Sequence, residues 1–557
     1  MATPRIYGID LGTTYSCIAY VDEYGKPVIL PNSDGQSTTP SVVFFESSTN
    51  IVVGKHAKDV AVQYAERVVS RVKREMSNPE YGHLHDGQLY KPQTISALIL
   101  QKLVADAESV TGEKVTDVVI TCPAYFGVNE REATREAGIL AGLKVHYVIP
   151  EPVAAALAYG INQSEEQVIL VYDLGGGTFD VTVIEVKSDA ITVICTGGDH
   201  QLGGKDWDER VAEWAAQQFQ QATGIPADGI RDNKETWQVL LKFAEEAKMA
   251  LSARINYVQR ISHEGASANL ELTREIFDAL TEDLLQTTLS LTETLLETAQ
   301  KKGYSKIDKI LLVGGSTYMP QVLKAVPARF PYEVKQFDPN QAVAKGAALF
   351  GFKCSLEEQV RIRIAESTGG NAEDVNLATT PESVRTQAQL EVATTNGIPL
   401  PAMLSMTQRM VTNVASKSFG IVVHDEKLGG DGICNLIVVN QPLPCSSTRH
   451  FFTQEDSTSV QLTCMENSNT NGAEDPAIPM KEASAELGMT LLTFARLLPK
   501  GSPIEVHFAL TPDGLLTLHG KDLTTQKEVT GELRTSACLN QEELERGRIH
   551  ITSLTVS

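Results

Sequence analysis

The sequence is poor in basic residues and has no long apolar run. Its 48 Lys and Arg residues are outnumbered by 70 Asp and Glu residues, so the formal net charge is −22 at pH 7. Nucleic-acid phosphates are bound by clustered Lys and Arg, and this acidic balance therefore argues against a nucleic-acid-binding protein. No apolar run reaches the roughly 18 residues that a membrane-spanning helix needs, so no membrane partner is expected.

Regular cysteine spacing is also missing. The 8 cysteines include no CxxC pair, which argues against a zinc site and gives no sign of a disulfide framework. The N-terminal stretch MATPRIYGIDLG begins a strand pattern at once and lacks the apolar region of a secretory signal. We therefore expect reduced thiols that are buried or have no chemical role, and we place the protein in the cytoplasm, a reducing compartment.

Size and composition indicate several ordinary globular domains. The chain has 557 residues, of which 42% are hydrophobic and 21% charged. At about 150 residues per domain, this length predicts roughly three or four compact units.

A glycine-rich turn between two aspartates is the most distinctive local feature. In DLGGGTFD, residues 173–180, an apolar run precedes the glycines and a β-branched run follows them. Because no helix pattern follows, the stretch predicts a β-hairpin rather than the strand-to-helix loop of many phosphate sites. Glycines at the tip of such a hairpin leave backbone amides open to an anion, although a plain tight hairpin would satisfy the same pattern.

Two other segments repeat this pattern. DLGTTYSC at 10–17 also runs from an apolar strand through Asp, Leu and Gly to Thr, and VGGSTY at 313–318 ends a third strand in glycines. Two facing hairpins of this kind would hold one polyphosphate from both sides of a cleft, which implies two related lobes. Asp10 and Asp173 would then need a hard cation such as Mg²⁺ between them and the phosphates, unless each simply caps its turn.

Together with CPAYF and EPVAAALAYG, these motifs resemble the seventy-kilodalton heat-shock chaperone family, and the chain looks like a divergent, DnaK-like member. The motifs follow the family's order from residue 8 to residue 317. The resemblance implies an α/β fold in which an actin-like two-lobed ATPase domain, built from ribonuclease-H-like repeats, is followed by an all-β sandwich domain.

The resemblance also assigns roles to residues of the cleft. It implies ATP or ADP as ligand, Mg²⁺ held through water by Asp10 and Asp173, and K⁺ near Tyr15 and Asp180. In the implied catalytic group, a lysine stabilises charge at the γ-phosphate. That group is Asp10, Lys73, Glu151, Asp173, Thr178 and Asp180. The implied nucleotide contacts are Gly12, Thr13, Thr14, Tyr15, Gly175, Gly176, Gly177, Thr178, Glu245, Lys248, Met249, Ser252, Gly314, Gly315, Ser316 and Tyr318.

The adenine contacts depart from the family's pattern. Met249 and Tyr318 stand where the family usually has two arginines that pack on the adenine. A thioether and a phenol ring can still sandwich a purine through dispersion and stacking. ATP binding with an altered affinity is therefore expected.

A second departure concerns the expected relay between domains. Pro123 and Arg131 match the pair that conveys the nucleotide state to the domain surface. Between them, Gly127 and Val128 replace the family's usual Asn and Asp. We therefore expect the following helix to begin differently here.

Domain boundaries follow from the motif positions and from changes in composition. Residues 354–408 begin with the charged helix pattern LEEQVRIRIA and continue as a Thr-, Pro- and Gly-rich stretch. The segment is interpreted as a solvated, partly ordered linker, with a dedicated binding element as the alternative. Few residues follow the last strand pattern, so no helical lid is expected. The expected units are a nucleotide-binding ATPase domain at 1–353 (lobe I about 1–165, lobe II about 166–353), an extended linker or insert at 354–413, a peptide-binding-like β-sandwich at 414–535 and a short C-terminal tail at 536–557.

The region after residue 414 has the alternation of half-buried strands. In PIEVHFALTPDGLLTLHGKD, at 503–522, alternating apolar residues flank Asp513 and Gly514, which predicts an antiparallel hairpin. If this region binds an extended peptide, Val460 and Leu462 are candidates for its apolar pocket. Plain core positions explain these two residues equally well.

The leading hypothesis is an ATP-dependent chaperone that hydrolyses ATP to regulate binding of extended apolar segments of unfolded clients. The resemblance implies a J-domain co-chaperone and a nucleotide exchange factor as partners, and a monomeric chain. Two alternatives stay open, namely a nucleotide-gated scaffold of the same superfold and a small-molecule kinase. A kinase would leave the C-terminal β region without a role.

Overall fold

Two α/β lobes begin the chain, and helices, a β-sandwich and a C-terminal segment follow them. The computed structural model describes residues 5–160, 166–472, 475–524, 527–531 and 538–557. Within these ranges, no helix is both long and apolar enough to cross a membrane. The predicted succession of a two-lobed α/β part and an all-β sandwich is confirmed.

Lobe I is built around a central sheet flanked by helices. Its elements are β1 (Ile6–Asp10), β2 (Tyr15–Val21), β3 (Pro27–Leu30), β4 (Thr39–Pro40), β5 (Val42–Phe45), β6 (Asn50–Val53), α1 (Lys55–Val60), β7 (Val68–Ser70), β8 (His83–His85), β9 (Gln88–Tyr90), α2 (Pro92–Thr111), β10 (Asp117–Cys122), α3 (Val128–Leu140), β11 (Lys144–Pro150) and α4 (Glu151–Gly160). The sheet has the order β11-β10-β1-β2-β3, with β4 paired to β2. All residues of β10 are buried, as expected for a parallel strand covered on both faces.

Lobe II repeats this arrangement. Its elements are β12 (Gln167–Leu174), β13 (Phe179–Val186), β14 (Ala190–Asp199), α5 (Gly204–Thr223), α6 (Ala227–Asp232), α7 (Lys234–Ala250), β15 (Asn256–His263), β16 (Ala266–Thr273), α8 (Arg274–Leu280), α9 (Glu282–Lys301), β17 (Lys309–Val313), α10 (Pro320–Arg329), β18 (Glu333–Gln336) and α11 (Ala342–Thr368). β12 lies antiparallel to β13 and parallel to β17, just as β1 does to β2 and β10. Asp173 pairs with Asp180 across the β12–β13 turn, so the predicted glycine-tipped hairpin is confirmed.

Helices α4 and α11 pack against each other between the two sheets. Their backbones are in contact, since a Cβ on Gly346 would lie 1.7 Å from the Ala154 carbonyl oxygen. Buried alanines and valines of both helices join apolar residues of both sheets in one cluster. The lobes therefore share a common base below the cleft between them.

Helices occupy the segment 354–413, where composition indicated an extended linker, and the structure corrects that interpretation. α11 continues through the expected boundary, and α12 (Glu382–Thr395) and α13 (Leu400–Gln408) follow it. The short strand β19 (Met410–Thr412) then pairs in parallel with β14 at the edge of the lobe II sheet.

The physical reason for this difference is an apolar helix face of ordinary period. Leu356, Val360 and Ile364 recur at four-residue spacing on α11 and pack against apolar residues of α12 and α13 in a separate buried cluster. The prolines do not indicate disorder here, because Pro381 and Pro399 are the N-caps of α12 and α13. Proline in this segment therefore marks the start of helices.

The β-sandwich has two antiparallel sheets. Its strands are β20 (Ser418–Asp425), β21 (Gly430–Ile437), β22 (Cys445–Phe452), β23 (Ser457–Asn467), β24 (Ile478–Pro479), β25 (Ala483–Leu498), β26 (Pro503–Leu510), β27 (Leu516–Asp522) and β28 (Lys527–Gly531). The sheets have the orders β24-β21-β20-β23-β25 and β22-β26-β27-β28. Burial alternates along β26, which pairs with β27 as the predicted hairpin. The inward residues of both sheets form one core.

The described part of the C-terminal tail is folded against lobe I. It consists of α14 (Gln541–Thr552) and β29 (Thr555–Val556). α14 packs on α2 and α3, and β29 extends the sheet of β5, β6 and β7. The tail is therefore a structural part of the first lobe.

A pair of isoleucines on α11 tests whether residues 354–408 form a packed unit. Ile364 is 3% exposed, so we expect Ile364→Ala to lower the free energy of unfolding by about 2–5 kcal/mol through the cavity it leaves. Ile362 on the same helix is 36% exposed, so Ile362→Ala should cost less than about 1 kcal/mol. Denaturant unfolding measures both values, and equal effects of the two substitutions would contradict a packed helical unit.

Candidate nucleotide-binding site

The two aspartate-glycine hairpins approach each other very closely. A Cβ on Gly176 would lie 1.9 Å from Thr14 Oγ1, and one on Gly177 would lie 2.4 Å from Thr13 Cγ2. A side chain at either glycine would push the hairpins apart, so these positions need glycine. The expected opposition of the two loops is present in the structure.

The VGGSTY loop closes the same space from a third side. Ser316 Oγ donates a hydrogen bond of 2.8 Å to the Gly175 carbonyl oxygen. A Cβ on Gly314 would lie 2.5 Å from Asp173 Oδ1, so this loop reaches the first aspartate of the hairpin. Thr178, at the end of the glycine turn, is buried. Two more expected contacts also belong to these loops, namely Gly12 and Gly315.

Three acidic side chains and one lysine are buried in the cleft, and the side chain of Asp10 is partly buried beside them. Asp10 ends β1, Asp173 and Asp180 flank the β12–β13 turn, and Glu151 begins α4. Lys73 Nζ lies 2.6 Å from Glu151 Oε1 in a nearly fully buried ion pair. The cleft therefore holds more negative than positive charge.

This excess of negative charge raises the pKa values of the aspartates. Burial, and then the Glu151 carboxylate, raises the pKa of Asp10 to about 7, with Lys73 opposing. Burial and Glu151 also raise the pKa of Asp180 to about 7, and burial, Glu151 and Asp180 hold the pKa of Asp173 well above its usual value. Although burial alone would lower it, Glu151 and Asp10 raise the pKa of Lys73, so its ammonium stays charged.

This set of oxygens fits a hard divalent cation. Mg²⁺ prefers carboxylate and water oxygens, and a cation in the cleft would relieve the repulsion that raises these pKa values. In the described ranges, no three His, Cys, Asp or Glu side chains converge closely enough to ligate a metal directly. A magnesium ion held through water by Asp10 and Asp173 stays a prediction.

The start of α5 packs on the glycine turn, and sequence reasoning does not single it out. The Gly204 amide donates to the Gly175 carbonyl oxygen at 3.0 Å. Arg74 donates to the Gly177 carbonyl oxygen at 2.7 Å and to Asp206 Oδ2 at 2.6 Å. The signal in the sequence was the glycine pair of LGGKDWD, which comes just before an amphipathic helix pattern.

An ion pair bridges the two lobes. Lys58 on α1 lies 2.6 Å from Glu245 Oε1 on α7 and donates to the Tyr15 hydroxyl at 3.0 Å. Asp180 instead accepts a hydrogen bond of 3.0 Å from the Tyr125 amide. The Tyr15 hydroxyl and the Asp180 carboxylate thus have different partners, and the potassium site stays a prediction.

The expected adenine contacts lie on α7 and after the VGGST loop. Lys248 Nζ is 2.7 Å from Asp208 Oδ1, which ties α7 to α5. Met249 and Tyr318 are 61% and 41% exposed, and Ser252 is exposed as well. These three side chains are accessible to a ligand, and their contact with adenine stays a prediction.

The loop after β10 links the cleft to the sandwich. It begins at Pro123, and the Tyr125 amide within it donates to Asp180 in the cleft. On its other side, the ring centroid of Tyr125 lies 3.3 Å from Lys417 Nζ at the start of the sandwich. Arg131 donates to two carbonyl oxygens of this loop, each at 3.1 Å. Arg131 also lies beside Gly514 of the sandwich, whereas Pro123 only begins the loop, and their relay role stays a prediction.

A carboxylate of the sandwich lies at the start of α3. Gly127, the N-cap, has no side chain to cap the helix, and a Cβ there would lie 2.4 Å from Glu466 Oε2. The Val128 amide at the N-terminus of α3 lowers the pKa of Glu466, as expected for an acidic group at a helix N-terminus. Burial, and then the Glu130 carboxylate, raises the pKa of Glu466 to about 8, with Lys417 opposing. Gly127 at the start of α3 thus leaves space for the Glu466 side chain of the sandwich.

A cavity of about 830 Å³ opens among strands β20 to β23 of the sandwich. Val460 and Leu462, the expected peptide contacts, both line it together with the 65% exposed Phe452. Leu462 also belongs to the buried core of the sandwich. Both interpretations of Leu462 have structural support, and peptide binding stays a prediction.

Neighbouring glycines of one turn test the contact between the hairpins. Gly176→Ala should lower the free energy of unfolding by about 1–3 kcal/mol, because its Cβ would overlap Thr14. Gly175→Ala is the matched control, since its Cβ would lie at an ordinary 3.4 Å from the Thr178 carbonyl oxygen. Thermal unfolding compares the two variants. The same loss of stability in both would show that the hairpins are not in contact.

Known proteins match this chain over most of its length. A family model described as Hsp70 protein matches residues 6–82 and 80–361. The chaperone protein DnaK of Thermosipho melanesiensis is 34% identical over 551 residues, which are 97% of this chain and 82% of that relative. The chain therefore belongs to the Hsp70 family of ATP-binding chaperones and has that family's actin-like lobes followed by a β-sandwich.

Proposed function

We propose that this chaperone hydrolyses ATP in the cleft, and that hydrolysis regulates how the sandwich binds extended apolar peptide segments. The position of Tyr125 carries this proposal. Its amide donates to Asp180 among the cleft carboxylates, while its ring contacts Lys417 of the sandwich. A change in the charge around Asp180 would therefore act on a residue that touches both domains.

The buried charges suit transfer of a phosphoryl group to water. Mg²⁺, held through water by Asp10 and Asp173, would neutralise charge on the β- and γ-phosphates. The Lys73 ammonium, kept charged by Glu151, would stabilise charge on the γ-phosphoryl oxygens. A water positioned by the carboxylates and Thr178 would attack the γ-phosphorus and pass a proton to one of the cleft carboxylates. The bond to the β-phosphate oxygen breaks in the same step, which gives ADP and phosphate.

The proposed peptide site is the cavity lined by Val460 and Leu462. Apolar side chains of an extended peptide would enter it, and backbone hydrogen bonds to the strands would hold the peptide. Unfolded clients expose such segments, whereas folded proteins bury them. A J-domain co-chaperone and a nucleotide exchange factor, as implied by the DnaK-like resemblance, complete the proposed cycle.

Replacement of the cleft lysine tests the proposed hydrolysis. Lys73→Met should lower ATP turnover by roughly 100-fold or more, because the ammonium that stabilises the γ-phosphoryl charge is lost. Calorimetry should still detect Mg-ATP binding, since the glycine loops are unchanged.

Lys55→Met is the matched control for this substitution. The Lys55 side chain is 63% exposed and pairs with Asp59 on the surface of α1, so its removal should leave turnover at the parent's rate. Unchanged turnover in the Lys73→Met protein would refute the role given to Lys73.

The docked sandwich should separate more readily as pH rises. The pKa of Glu466 is about 8 in the docked state and should return to its ordinary 4.5 when the sandwich leaves lobe I. Docking therefore favours protonated Glu466. The docking constant should be highest below about pH 4.5, fall by up to about tenfold per pH unit between about pH 4.5 and pH 8, and stay constant above that. Glu466→Gln resembles the protonated form and should remove this dependence. Energy transfer between dyes on lobe I and the sandwich measures docking.

Glu486→Gln is the control for the pH experiment. Glu486 is exposed on β25, the strand beside β23, so its replacement should preserve the parent's pH profile. A full pH dependence in the Glu466→Gln protein would mean that another group controls docking, and the contact at the start of α3 would not be the one that titrates.

A further inference from the structure

The described C-terminal residues return to lobe I and complete one of its sheets. β29 lies parallel to β6, with Val556 opposite Ile51. The Val53 amide donates to the Ser557 carbonyl oxygen at 2.9 Å, and the Ser557 amide donates to the Ile51 carbonyl oxygen at 3.0 Å. Without β29, β6 would be an open sheet edge, which folded proteins rarely leave uncovered.

Helix α14 is packed into the apolar core of lobe I. Ile551 is 0% exposed and belongs to the same buried cluster as Leu140 of α3. A Cβ on Gly547 would lie 2.8 Å from Leu140 Cδ2, so the two helices are in close contact. Leu544 and Val556 pack against the same cluster. Both the helix and the strand of this segment are therefore bound by the apolar core of the lobe.

Polar contacts fix the register of the segment. The Leu539 amide donates to Glu136 Oε1 on α3 at 2.8 Å. A capping box starts α14, and near its end His550 Nε2 lies 3.1 Å from the Tyr90 hydroxyl of β9. The segment is thus anchored before, along and after its helix.

A short connection joins this segment to the sandwich. β28 ends at Gly531 and the docked segment begins at Cys538. The chain between these residues spans at most roughly 25 Å when fully extended. The other end of the sandwich is held on lobe II, where β19 pairs with β14. The sandwich is therefore tethered at both ends, one to each lobe.

We propose that residues 538–557 form an intramolecular latch, whose docking site is the β6 edge with α2 and α3, and which keeps the sandwich on lobe I. The tether raises the effective concentration of the sandwich at its contacts with lobe I, so a separated sandwich returns quickly. The short connection favours docking on the chain's own lobe over docking on a second copy. The latch goes beyond the proposed ATPase cycle and needs no hydrolysis.

Two isoleucines of one helix test the latch. Ile551→Asp places a charge in the core of lobe I and should release the segment. Hydrogen exchange at the Val53 and Ser557 amides should then accelerate at least about tenfold, and energy transfer between dyes on lobe I and the sandwich should fall. Ile549→Asp is the matched control, because Ile549 is 62% exposed on the same helix and its replacement should change neither readout.

These measurements use the full chain without nucleotide, so their outcome is independent of whether ATP is hydrolysed. If the Val53 and Ser557 amides of the Ile551→Asp protein exchange hydrogen at the parent's rate, the proposed docking of the segment is wrong. Accelerated exchange with unchanged energy transfer would overturn its role in holding the sandwich.

A cleavable connection tests the same latch without altering its contacts. A protease recognition sequence is inserted within residues 532–537, and the full chain is then cut. The fragment 538–557 should co-elute with the rest of the protein, while energy transfer between lobe I and the sandwich falls. The proposal would be overturned if the fragment elutes alone or if energy transfer stays unchanged after cleavage. It would also be overturned if the uncut protein forms a dimer that exchanges the segment between copies.

Discussion

Four carboxylates are crowded around a single lysine in the cleft, three of them buried and Asp10 partly buried. Burial and mutual repulsion raise the pKa values of Asp10 and Asp180 to about 7, so the lobes close on charge that their own residues do not balance. The contact of Gly176 with Thr14 leaves no room for a side chain between the two hairpins. The close contact between the lobes therefore keeps these carboxylates near one another, and their mutual repulsion raises their pKa values.

The loop that contains Tyr125 connects the cleft carboxylates with the sandwich. Asp180 receives the Tyr125 amide, and the Tyr125 ring receives the Lys417 ammonium, so no intervening element separates the cleft from the second domain. Glu466 then occupies the start of α3, where Gly127 leaves space for it. The C-terminal segment adds a second attachment on lobe I, which limits how far the sandwich can move when the first contact opens.

Local patterns could be predicted from the sequence, and contacts between distant segments could not. The hairpin that pairs Asp173 with Asp180 is encoded within a few residues, and its repeat around Asp10 indicated the second lobe. The helical start LEEQVRIRIA was recognised, but α12 and α13 were missed because prolines were interpreted as linker residues. Pro381 in fact caps α12, whose apolar residues pack in a buried cluster. The place of Glu466 depends on how two domains dock, and the departure from the family's residues at Gly127 and Val128 was its local sign in the sequence.

The most direct test of coupling between the cleft and the sandwich is the ATP turnover of the unmodified chain with and without an extended apolar peptide. The peptide concentration is set where fluorescence shows that the sandwich is saturated. If Tyr125 and Lys417 connect the two sites, occupancy of the sandwich shifts the loop at Asp180 and turnover rises. Identical turnover with a saturated and an empty sandwich would contradict the coupling and leave a nucleotide-binding scaffold whose two sites act independently.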